Sequence, residues 1–164
     1  MIPYFGYTRH AIKAPHKPTK QGYKIWALGD HGYIFNWLWH SKAQGVEGLG
    51  SRSRYKSMAN TQALVISLVR SLPDPSIIGY TLYLDNLFPN IPLAKALGEI
   101  DIGIMGIIRI KALGFSLELV QLKQAKQSLK WGHLEIAEVD GIGCFLWQDN
   151  NRVLGMIIVY NNFL

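Results

Sequence analysis

Asp85 is the residue of this 164-residue chain whose type and position best suit chemistry, because it closes the apolar run Tyr80-Thr-Leu-Tyr-Leu84 where nothing else calls for a charge. Tyr80, Leu82 and Leu84 alternate with Thr81 and Tyr83, which predicts a buried strand ending at the carboxylate. Residues 86–90 then carry turn chemistry, with Pro89 forbidding further ladder pairing. Asn90 is placed to cap a helix that tolerates Pro92 in its first turn, turns Leu93, Ala96 and Leu97 inward and ends at Gly98. A carboxylate at the C-terminal end of a strand, ahead of a helix, is where α/β folds place ligand and metal sites. The same local spacing also fits an aspartate that simply opens a turn.

The other candidates for chemistry read more plainly as structure. Asp30 in Gly29-Asp-His-Gly32 and Asp149 in Gln148-Asp-Asn-Asn-Arg152 both sit in turn sequences between apolar runs. The histidines, His10, His16, His31, His40 and His133, have neither the helical pairing nor the close spacing of metal sites. Cys144 is the single cysteine, which excludes an internal disulfide and a cysteine-rich zinc module, and its neighbours Ile142, Phe145 and Leu146 make it a buried hydrophobe.

The formal net charge of +6 is unevenly distributed. Residues 1–29 contain Arg9, Lys13, Lys17, Lys20 and Lys24 and no acid, a stretch suited to a phosphate-facing edge. Arg52, Arg54 and Lys56 form a second cluster and Lys123, Lys126 and Lys130 a third, and both also fit ordinary solvated surface. Nothing in these clusters suggests base-specific readout.

These side chains need a scaffold, and periodicity supplies one. Residues 24–28 and 33–40 read as a hairpin across the Asp30-His-Gly32 turn, with Trp26, Tyr33, Phe35, Trp37 and Trp39 either stacking bases or, the reading that alternation with Ile34, Asn36 and Leu38 favours, packing on a core. After a flexible connection at 45–54, Leu64, Val65, Leu68, Val69 and Leu72 follow helical spacing until Pro73, and that helix should cover a sheet face. Beyond the Asp85 strand and its helix, residues 102–110 form another apolar strand in which Gly103 and Gly106 permit close backbone approach, and Arg109 either contacts phosphate or snorkels. Residues 114–131 lose β-branching and predict a short helix or ordered excursion. Strands near 133–139, 143–148 and 152–160 make a meander.

With 49% hydrophobic residues the chain can bury a core of one domain, which excludes disorder throughout. No run of eighteen or more apolar residues exists and no secretory hydrophobic region opens the chain, so neither a membrane helix nor secretion is expected.

Several separated blocks, in order, carry a resemblance: Met1-Ile-Pro-Tyr-Phe-Gly6, Pro15-His-Lys-Pro18 with Gly22-Tyr-Lys-Ile-Trp26, Asp30-His-Gly-Tyr33, Tyr83-Leu-Asp-Asn-Leu-Phe88 with Ile91-Pro-Leu93, Gly103-Ile-Met-Gly-Ile-Ile-Arg109, and Leu146-Trp-Gln-Asp-Asn150. Over nearly its whole length the chain resembles the central domain of piggyBac-type transposases, especially the fungal transposable-element-derived versions. The resemblance implies an α/β fold, a ribonuclease-H-like mixed sheet with flanking helices, in one partial domain spanning 1–164. Residues 1–112 would be the ribonuclease-H-like part and 113–164 an insertion-like helix and the β-meander.

Such transposases cut DNA with two divalent metal ions held by three aspartates, and only the second has a counterpart here, Asp85. The first lies in the family just before the Met-Ile-Pro block and the third beyond the Trp-Gln-Asp block. The resemblance therefore implies truncation at both ends, a missing central first strand, and a vestigial catalytic and metal-ligating role for Asp85. One carboxylate with DNA would hold Mg2+ weakly at best, so little strand cleavage is expected from these residues alone. DNA is the implied partner, through Arg9, Lys13, Lys17, Lys20, Lys24 and Arg109, and the nucleus the implied location. Strands deprived of ladder partners imply self-association through open sheet edges. The alternative is a non-enzymatic, domesticated module that binds DNA or protein.

Overall fold

The structure, a computed structural model, describes residues 1–8, 10–40, 58–74 and 78–159, so Arg9, the Arg52, Arg54 and Lys56 cluster and the connection at 45–54 lie outside the described residues. The chain divides into two compact units, Met1–Pro73 and Asp74–Leu164.

In the N-terminal unit, β1 (Ile2–Pro3), β2 (Ile12–Lys13) and β3 (Gln21–Tyr23) form a small antiparallel sheet in the order β1-β3-β2, which the sequence reading did not anticipate. β4 (Ile25–Asp30) and β5 (Tyr33–Trp39) form the expected hairpin. Its two central turn residues, His31 and Gly32, have φ of 47° and 84°, the left-handed pair that matches the twist of the flanking strands and that a glycine at the second position makes easy. Helix α1 (Asn60–Val69) lies against both strands and buries Leu64, Val65, Ile66, Leu68 and Val69. That contact covers the hairpin face bearing Trp26, which is 9% exposed.

The opposite hairpin face corrects the expectation of core packing for the remaining aromatics. Tyr33, Phe35, Trp37 and Trp39 are 66%, 46%, 45% and 51% exposed. Alternation separates Trp37 and Trp39 from Leu38, and α1 covers the face of Trp26 and Leu38, but a register shift between Leu28 and Gly29 breaks the alternation at Phe35.

The C-terminal unit is built on one five-stranded sheet in the order β6-β7-β10-β9-β8. β6 (Thr81–Leu84) and β7 (Gly103–Ile107) run parallel, linked by helix α2 (Ile91–Gly98); β8 (Leu134–Val139), β9 (Ile142–Gln148) and β10 (Arg152–Ile158) are the meander, and β10 pairs antiparallel with β7. The meander thus continues the sheet that carries Asp85. Asn90 caps α2 as expected: its Oδ1 accepts from the Leu93 N–H at 2.8 Å. Helix α3 (Leu117–Gln124), within the stretch expected to be helical or irregular, is capped by Ser116 and packs on β8, β9 and β10, while α2 packs on β7.

Both helices cover the same sheet face. Leu82, Ile104, Met156, Cys144, Leu146 and Leu154 lie on it with 0–8% exposure, against Leu93, Leu97 and Leu119 from the helices. Arg152 ties α3 down, its guanidinium donating to the carbonyls of Leu122, Ala125 and Gln127 at the helix C-terminus, where a cation is favoured. On the other face the ring of Phe145 lies over Gly155, where an added Cβ would meet the ring Cζ at 2.1 Å. Gly106 has the close approach expected of it, since a Cβ there would lie 2.8 Å from the Leu84 carbonyl oxygen.

Candidate functional site

Asp85 follows the last residue of β6 and is exposed. Parallel pairing of β6 with β7 sets Leu84 opposite Gly106, so the C-terminal ends of both strands emerge together. Arg109, two residues beyond β7, reaches back so that its Nη2 donates to Asn86 Oδ1 at 3.5 Å. The sheet therefore brings Asp85, Asn86 and Arg109 to one edge. Sequence reasoning missed Asn86, whose signal was its place directly after the strand-ending carboxylate.

Asp85 is also held in a turn, which the local spacing had left open. Its Oδ1 accepts from the Asn86 N–H at 2.7 Å, and its carbonyl accepts from Phe88 N–H at 3.0 Å. The turn uses one carboxylate oxygen and leaves the side chain at the surface. Beside it, Tyr83, Leu84, Met105, Gly106, Ile107 and Phe145 line a shallow apolar depression.

A two-metal centre needs several hard oxygen ligands converging on ions a few ångströms apart. Among the described residues no three His, Cys, Asp or Glu side chains are grouped in that way. The nearest charged neighbour by way of Asn86 is a guanidinium, which repels a cation. The donors among the described residues do not by themselves fit a two-metal centre.

The remaining candidate acids and nucleophiles have structural positions. Asp149 sits in the β9–β10 turn and accepts from Trp131 Nε1 at 3.3 Å. Asp30 lies 2.6 Å from His31 Nδ1 at the tip of the β4–β5 hairpin. Asp140, in the tight turn before β9 with φ of 55°, pairs with Lys95 Nζ at 2.7 Å. Cys144 is fully buried, and burial raises its thiol pKa above the ordinary value, with a backbone hydrogen bond from Ser116 opposing that shift in part.

The basic residues collect in the N-terminal unit. Lys13 ends β2, Lys17 and Lys20 are exposed on the turn between β2 and β3, and Lys24 bridges β3 and β4 with its Nζ 3.6 Å from the centre of the Trp26 ring. Burial lowers the Lys24 pKa and the nearby charge of Lys17 lowers it further. That mutual repulsion is what a bound polyanion would relieve. Arg109 is in the other unit, beside Asp85. No described helix is long and apolar enough to cross a membrane.

A family model described as Transposase IS4 matches residues 1–163, and the chain belongs to that family of transposases. Among solved structures the chain is similar to a piggyBac transposase determined by cryo-electron microscopy in a synaptic complex with hairpin DNA, with a TM-score of 0.69 and 19% sequence identity. At that identity the likeness is one of fold. It covers 94% of this chain and 30% of the other, so the chain spans less than a third of that transposase. Comparison with curated proteins gives no match.

Proposed function

We propose that the chain is part of the catalytic domain of a DNA transposase with three metal-ligating aspartates, in which Asp85 is one of the three and the ribonuclease-H-like core is completed by further strands and helices. The observation that carries this reading is the exposed Asp85 at the C-terminal end of a parallel strand pair, in a chain that belongs to a transposase family. The free side of β6 supports it. Among the described residues β6 pairs only with β7, yet its sequence, Thr-Leu-Tyr-Leu, has none of the charges or prolines that protect a true edge strand. It is the sequence of an interior strand, and a strand ending in a second carboxylate fits beside it.

On this reading the ancestral reaction is metal-dependent DNA strand cleavage and transfer, and Mg2+ is held only when the other carboxylates are supplied. When bound, the ions would polarise the scissile phosphate and activate the attacking oxygen. The residues of this chain supply one carboxylate for orientation and, through Lys13, Lys17, Lys20, Lys24 and Arg109, cations for phosphate. On the same reading the protein acts in the nucleus, and wherever the neighbouring strand is lacking the unprotected β6 edge is where self-association would occur.

The test is a longer product that adds an acidic strand and a downstream carboxylate. It should nick supercoiled DNA with Mg2+ or Mn2+ and lose that activity on Asp85→Ala. Nicking that persists in the Asp85→Ala protein would remove Asp85 from the site. The second reading, a non-enzymatic DNA-binding module, is favoured by the predominantly positive charge of the N-terminal unit's described residues. It calls for salt-sensitive DNA binding that is unaffected by Asp85→Ala.

A further inference from the structure

We propose that the exposed aromatic face of the β4–β5 hairpin is a stacking platform for the unpaired bases of single-stranded DNA. Trp37 and Trp39, opposite Ala27 and Ile25, share one side of β5 about 6.8 Å apart; a register shift between Leu28 and Gly29 then leaves Phe35 at a bulge, where it meets Tyr33 with ring centroids 5.0 Å apart, so the four exposed rings form two adjoining pairs. They are roughly half exposed or more, although the same hairpin buries its other face under α1. The row is continuous at one end with the small N-terminal sheet. Trp37 and Trp39 meet edge to face with centroids 5.2 Å apart, Trp39 meets Tyr23 at 5.5 Å, and Tyr23 meets Tyr4 at 4.9 Å. These ring-on-ring contacts hold the platform before any ligand arrives, which lowers the ordering cost of binding.

Charge selects the occupant. The described residues of this unit carry five cations, Lys13, Lys17, Lys20, Lys24 and Arg70, against the single acid Asp30 at the hairpin tip. An aromatic surface in a cationic unit matches a ligand that presents flat apolar faces on an anionic backbone, and base stacking on aromatic side chains is tolerant of sequence. A duplex hides its base faces, and an apolar protein partner has no use for the cations. The exposed face of the C-terminal sheet is the internal contrast: it mixes Tyr83 and Trp147 with Ile107, Leu134 and Ile136, but it has Glu138 at its β8 side and lies in a unit whose described acids outnumber its lysines and arginines. The proposal takes DNA as partner from the function proposed above but does not involve Asp85.

The experiment is fluorescence anisotropy with a labelled oligothymidylate of about 15 nucleotides and a duplex of the same length, at low and at moderate salt. The unmodified chain should bind the single strand more tightly than the duplex and show quenching of tryptophan fluorescence. The double variant Trp37→Ala, Trp39→Ala should lose roughly tenfold or more of single-strand affinity while duplex affinity changes little. Lys17→Ala with Lys20→Ala should weaken both ligands together and flatten the salt dependence. The single variant Trp37→Tyr, which keeps a ring, should retain most of the affinity and guards against a folding artefact in the double variant. Equal single-strand affinity for the double variant and its parent would overturn the proposal, as would absence of single-strand binding at low salt. Binding that instead requires Asp85 would place the DNA at the carboxylate edge and overturn the platform while leaving the transposase reading intact.

Discussion

The two units each leave one sheet face open, and the faces differ most in the charge of the unit around them. In the N-terminal unit the open face is a row of rings in a unit whose described charges are nearly all positive. In the C-terminal unit it mixes aliphatic side chains and rings, with Tyr83, Ile107, Leu134 and Ile136 more than half exposed, in a unit whose described acids outnumber its lysines and arginines. Both open faces back onto a face well covered by helix. The pairing teaches that hydrophobic alternation fixes how many faces a strand has, whereas charge and ring content indicate what an open face can meet.

The comparison is broken most severely by cutting the covered face. Leu146→Ala, at a position with no exposure, should destabilise the C-terminal unit by about 2–5 kcal/mol in urea unfolding. Ile136→Ala, one strand over on the open face and 67% exposed, should change stability by no more than about 0.5 kcal/mol. Comparable losses at both positions would mean that the open face is not open in solution. Arg152→Ala removes the guanidinium from the carbonyls at the end of α3 and should cost about 1–3 kcal/mol, read as a lower unfolding midpoint. Asn90→Ala should cost about 1 kcal/mol through loss of the α2 cap, with Asn90→Ser recovering most of it. Cys144 sharpens the contrast without a mutation. Burial raises its pKa, so the thiolate is scarce at neutral pH and a thiol reagent should react only as fast as the unit opens. Reaction at the rate of a free thiol would show that the covered face is loosely held.

Much of this fold was legible because local chemistry decided it. Asp30-His-Gly32 and Asp140-Gly141 supply the left-handed turn residues that two-residue hairpins require, and Asn90 followed by Pro92 marks a helix start that the structure reproduces with the expected cap. The pairing of β10 with β7 was not legible, since residues about fifty positions apart share no local pattern. Nor was the fate of the β5 aromatics. Whether Trp26 or Trp37 faces a helix depends on which side α1 docks, and both sides of that hairpin are rich in large side chains. At the candidate site the position of Asp85 was legible from the strand that ends there. Its approach to Arg109 through Asn86 was not, because it needs the parallel register of β6 on β7.

The central claim is that this chain holds one carboxylate of a site that takes several. The most direct measurement incubates the 164-residue chain and its Asp85→Ala variant with supercoiled plasmid and Mg2+ or Mn2+ and follows conversion to nicked circles. The account expects both proteins to leave the plasmid supercoiled. Metal-dependent nicking by the unmodified chain that disappears in Asp85→Ala would contradict it.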